Sequence, residues 1–143
     1  MKKVEAIITM IIFCLILTVC SPAPGYSANV EISIGASVKF NSTEIEDAIE
    51  CIKDEFLDFT DCELVNLWYD EATSNKKIES YLISGGGRDK NIGEENIIIF
   101  LSNFNTGSRA EMTMNQNSTY SHWQWILIRD SEAGEWTVAA FGY

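Results

Sequence analysis

An α+β domain, with a curved antiparallel sheet wrapped around an N-terminal helix, follows from three features of this 143-residue chain. One long segment repeats apolar residues at three- and four-residue steps, one short run is apolar throughout, and the last part reads strand, turn, strand.

Taken in order, the chain opens with Lys2 and Lys3, an apolar run from Ala6 to Val19, and then Ser-Pro-Ala-Pro-Gly-Tyr-Ser-Ala. These are the three parts of an export signal, assigned here to residues 1–27. The apolar run is shorter than the roughly 18–20 residues of a membrane-spanning helix, and Pro22, Pro24 and Gly25 break helix rather than prolong it. Two ways of leaving the membrane stay open. Small residues at Gly25 and Ser27 suit cleavage after Ser27 or Ala28, which releases the domain. Leu17-Thr18-Val19-Cys20 resembles a bacterial lipobox, which leaves Cys20 lipidated and the domain tethered at the membrane. Either way the protein works outside the cytoplasm.

Residues 28–40 form an extended arm or strand, in which Val30, Ile32 and Ile34 alternate with polar neighbours. Residues 41–143 form one domain without repeats or linkers. Its helix carries Ile45, Ala48, Ile49, Ile52, Phe56 and Phe59 on one face and Glu46, Asp47, Glu50 and Asp54 on the other. Asn41, Ser42 and Thr43 are capping types, and Thr43 with Glu46 fits a capping box. A strand over Cys62–Asp70 follows, with Leu64, Asn66 and Trp68 on one side and Val65, Leu67 and Tyr69 on the other. Residues 75–84 suit a second helix, stopped by Gly85-Gly86-Gly87. The run Ile97-Ile98-Ile99-Phe100-Leu101 is too continuously apolar for a surface strand and belongs at a sheet centre. His122–Asp130 and Glu135–Tyr143 pair across a turn at Ser131–Gly134.

Charge and motifs narrow the chemistry. The formal charge is −11, and loss of residues 1–27 makes it about −12 with eight scattered basic residues, which rules out a phosphate backbone as partner. The Gly triplet lacks the Lys-Ser/Thr of a phosphate loop. A single histidine, His122, forbids His-pair zinc sites, and no Gly-x-Ser-x-Gly elbow accompanies it. Asp70 and Glu71 are adjacent and make a poor acid pair, while Asp58, Asp61 and Glu63 gather around one turn as weak candidates for a hard cation. No cofactor or resident metal is expected. In an oxidising compartment Cys51 and Cys62 either pair or stay as two partly buried thiols. The aromatics are the more distinctive group: Trp68, Tyr69, His122, Trp123 and Trp125 lie on strands and either stack on a ligand or fill the space between sheet and helix.

Several of these pieces carry a family resemblance. Ile34-Gly35 and Phe40 precede the helix; Phe56 and Phe59 precede Cys62-Glu63-Leu64; then come Leu67 to Glu71, Leu101 to Phe104, Asn117 to Tyr120, Trp123 to Arg129, and Trp136 with Gly142-Tyr143. In that order they resemble an uncharacterised family of small exported proteins and lipoproteins of Gram-positive bacteria, a domain of unknown function associated with the NTF2-like superfamily. The resemblance implies a cone-shaped α+β fold with a helix in a bent sheet, often around a pocket, and it implies no reaction. The expectation is a non-catalytic binding module for a small ligand or envelope component, touching the membrane only through a lipid on Cys20. The alternatives are an interaction or inhibitor domain acting through its acidic surface, and a pocket enzyme using His122 or Asp70.

Overall fold

A computed structural model describes residues 23–88, 90–111 and 113–143. The part of the expected export signal up to residue 22, including Cys14 and Cys20, lies outside the described residues.

The apolar face of the first helix sets the architecture. Helix α1 (Ser42–Phe56) follows strand β1 (Glu31–Ile34) and buries Ile45, Ala48, Ile49, Ile52 and Phe56. Its cap is Asn41, one of the three expected capping types, and the reciprocal partner is Glu44 rather than Glu46. The Asn41 side chain accepts from the Glu44 N–H at 3.0 Å, and Glu44 returns the bond to the Asn41 N–H at 2.8 Å. Strands β2 (Cys62–Tyr69), β3 (Ile97–Thr106), β4 (Thr119–Ile128) and β5 (Thr137–Gly142) then form a five-stranded sheet in the order β1-β2-β3-β4-β5. The sheet is mixed and open, not purely antiparallel, because β1 runs parallel to β2. A parallel pair needs a crossover, and α1 supplies it.

Helix α2 (Glu71–Ser84) begins four residues before the sequence-based start, because Asp70 at the end of β2 caps it by accepting from the Thr73 N–H at 2.8 Å. It ends at Gly85, as the glycine triplet requires. The two helices cover opposite faces of the sheet. On the α1 face lie Leu64, Leu67, Tyr69, Ile98, Phe100, Phe104, Trp125 and Leu127. On the α2 face, Ile78 and Tyr81 pack on Ile97 and Ile99. Strand β3 is therefore buried on both sides over Ile97–Ser102, which explains its unbroken apolar run.

Three bulges keep large side chains on the α1 face. In β2 an extra residue at Val65 puts Leu64 and Leu67 on the same side, where strict alternation would separate them. In β4 the extra residue falls between Tyr120 and Trp123, so that both join the α1-side core. In β5 it falls between Val138 and Ala140, and brings Val138 and Phe141 to one face. Each bulge also bends its strand locally and increases its twist.

Candidate functional site

The five aromatic candidates divide between the two faces. Tyr69 is 2% exposed and packs against Phe100 and Phe40 under α1. Trp125 is fully buried on the same side, with its indole N–H donating to the Ser102 hydroxyl at 2.8 Å. Trp123 is half-buried among Phe59, Phe104, Tyr120 and Phe141. These three fill the space between sheet and helix. Trp68 and His122 point the other way and meet edge to face, their ring centres 5.6 Å apart at 89°.

What surrounds that pair is polar. The bulges at Val65 and before Trp123 flank Asn103 from both sides and line up residues of four strands. Asn66 Nδ2 donates to Glu31 Oε2 at 3.1 Å, Asn103 Nδ2 donates to Asn66 Oδ1 at 3.2 Å, and the His122 N–H donates to Asn103 Oδ1 at 3.0 Å. All three bonds run in one direction, so the amide dipoles add and the ladder ends on the Glu31 carboxylate. Thr119 bonds to Asn105 in the same way one step along, at 2.7 Å. His122 holds a φ of 59°, a left-handed backbone that a residue with a side chain adopts at a cost of about 1 kcal/mol. Its bulge therefore turns the imidazole toward Trp68. Beside the ladder is an open groove of about 450 Å³ lined by Glu31, Ser33, Asn66, Trp68, Asp70 and Asn103.

This surface was only half legible in advance. Sequence reasoning singles out Trp68 and His122 as site residues, but not Glu31, Asn66 or Asn103. The available signal was the placing of Asn in Leu-Val-Asn-Leu-Trp and Leu-Ser-Asn-Phe-Asn, since asparagine is disfavoured inside strands unless its amide is used.

Other candidates resolve plainly. Cys51 and Cys62 are free thiols, not a disulfide: Cys51 Sγ donates to the Trp136 carbonyl at 3.3 Å, and Cys62 Sγ donates to the Thr60 carbonyl at 3.4 Å. Cys51 sits in the last two turns of α1 and Cys62 opens β2 beyond it, and each is committed to a different carbonyl. Burial pushes the Cys62 thiol up to about 11 and raises that of Cys51, so both stay protonated at neutral pH. Among the described residues no three His, Cys, Asp or Glu side chains converge as a metal site. Asp61 instead accepts the Arg109 N–H at 2.8 Å. His122 and Asp70 are both exposed, and the interior beneath α1 is occupied by aromatic side chains.

Compared with known proteins, residues 34–142 match the family model described as domain of unknown function DUF4829. The chain belongs to that family. No curated protein and no solved structure matches it.

Proposed function

We propose that this chain is an exported, non-catalytic binding module that holds a neutral, hydroxyl-rich ligand, such as a sugar unit of an envelope polymer, on the Trp68–His122 face. The observation that carries the reading is the one-way ladder Glu31–Asn66–Asn103–His122 beside a partly exposed indole. Amides and a carboxylate match the donors and acceptors of vicinal hydroxyls, while an indole matches the C–H face of a sugar ring. The groove volume falls within the ~300–1,000 Å³ of small-ligand sites.

Export is supported by the basic start and 14-residue apolar run before Ser21. The contacts of residues 23–26 favour the lipobox route over cleavage at Ser27. The Asp61 N–H donates to the Ala23 carbonyl at 2.8 Å, Gly25 N–H to Leu57 at 3.0 Å, Tyr26 N–H to Cys62 at 2.9 Å, and Leu64 N–H to Tyr26 at 2.8 Å. A cut before Cys20 keeps this segment in the mature protein, whereas a cut after Ser27 discards it. The NTF2-like relationship is part of the same proposal and draws on the helix held in a bulge-bent sheet.

Calorimetric titration with soluble cell-wall oligosaccharides tests the site. Trp68→Ala is expected to weaken binding about tenfold, from loss of aromatic contact worth ~1–1.5 kcal/mol, and Asn103→Ala to weaken it less. If Trp68→Ala leaves oligosaccharide affinity unchanged, the proposal fails.

A further inference from the structure

We propose that a slot on the opposite face, at the far end of α1, binds a lysine side chain of a basic, extended polypeptide partner. The slot is about 190 Å³ and is formed by Phe59, Met114 and Phe141, with Glu55, Asp58 and Glu111 at its walls. It is too small for the ~300–1,000 Å³ expected of a small-molecule site and matches one long side chain.

Each part of the slot suits an alkylammonium. Phe59 is 5% exposed and forms the floor. Phe141 is 46% exposed although it lies against Phe59, at 5.1 Å and 63°, and its bulge turns it inward rather than away. Aromatic faces attract an ammonium group, and a lysine stem covers apolar surface while its head stays near the carboxylates. The sequence offers a second, independent reason. Phe141 stands on the edge strand β5, where soluble proteins usually place a charge or proline instead of an uncovered aromatic ring.

The charge pattern selects a chain over a free amine. Glu55 and Asp58 also border a groove of about 940 Å³ that continues along α1 toward the Ser131–Gly134 turn, where Asp47, Glu50, Asp54 and Glu132 project. Among the described residues, the ion pair Arg129–Glu44 lies on this groove, and Glu50, which pairs with Lys53, lines it as well. The carboxylates are spaced along the groove and do not converge, which fits successive cationic side chains better than a single ion. The chain's −11 charge steers such a partner in from solution.

The test is calorimetry of the purified protein against a Lys-Ala repeat peptide, its norleucine counterpart and free butylamine. Binding is expected for the lysine peptide alone, weakening as salt rises. Phe141→Ala is expected to lower affinity roughly fivefold, as loss of a cation–π contact does. Glu111→Gln, a surface change that spares the core, is expected to lower it as well. Equal binding of the norleucine peptide, equal binding of butylamine, or unchanged affinity in both variants overturns the proposal. So does salt-sensitive self-association of the protein that blocks the peptide, which would make a second copy the occupant.

Discussion

Replacement of Gly25 by Ala tests whether the segment ahead of β1 belongs to the working domain. Gly25 is buried, and a Cβ there would stand 1.8 Å from the Phe56 carbonyl oxygen and 2.9 Å from its carbon. Both atoms are backbone at the end of α1, so no flexible side chain can give way. Relief requires the segment to move outward by about 1 Å, enough to break the 3.0 Å bond from Gly25 to Leu57 and to strain those of Tyr26 and Asp61. Overpacking of this kind costs about 1–3 kcal/mol. The upper limit is set by undocking, because the chain can always release the segment and lose only what docking contributed. Four backbone hydrogen bonds at about 1 kcal/mol each, less the order regained, place that limit near the top of the same range. For a domain of this size the melting temperature should fall by roughly 3–10 °C. Thermal unfolding by circular dichroism of the two proteins, both beginning at Cys20, is the assay. A Gly25→Ala protein that melts within about 1 °C of the parent would refute the docking argument, and with it the preference for the lipobox cut.

Two further outcomes follow from buried and capped charges. Arg129 is 4% exposed, donates to Glu44 at 2.7 Å and to the Glu95 carbonyl at 3.2 Å, and lies 4.5 Å from the Trp136 ring centre. Arg129→Met should cost about 2–4 kcal/mol in urea unfolding, below the full value for a buried pair because Glu44 keeps some solvent contact. Arg129→Lys should recover only part of that loss, since an ammonium cannot reach both oxygens as the fork does. Glu71 accepts from the Ser37 hydroxyl and from the N–H groups of Lys39 and Val38, and these bonds hold its carboxyl below the ordinary 4.5. A depressed folded-state value means that its contribution is complete above the unfolded value and fades as pH falls through the folded one. Amide shifts of Val38 and Lys39 should therefore titrate below pH 4.5 and become flat in Glu71→Gln; an identical titration in the variant would show that another group is responsible.

Side-chain periodicity carried much of the fold into view, and backbone irregularity carried the rest out of it. The six apolar positions of the first helical segment are all buried, Phe59 included, although the helix ends at Phe56. The apolar run from Ile97 lies at the sheet centre as its composition demands. The parallel pairing of β1 had no mark in the sequence, because alternation in Val30, Ile32 and Ile34 is the same for either direction. The start of α2 was hidden because Asp70 serves two elements at once, ending β2 and capping the helix. The bulges were hidden for a simpler reason: one inserted residue changes no composition, yet it reverses the face of everything after it.

That reversal decides where function can sit. With strict alternation along β2, Leu64 and Trp68 would share a face; Val65 separates them, sending Leu64 under α1 and Trp68 to the outer surface. The same insertion in β4 sends Trp123 and Trp125 inward with Tyr120 and leaves His122 outside, opposite Trp68. The aromatic residues that looked like one ligand site are thus divided by the two bulges into a core and a surface. Asn103 is the residue between those bulges, and its amide bonds to both flanking strands. A substitution there acts on the outer face while the core on the other side of β3 keeps Phe104 and Ser102 in place. The Asn103→Ala variant is therefore the cleanest separation of binding from stability that this sheet allows.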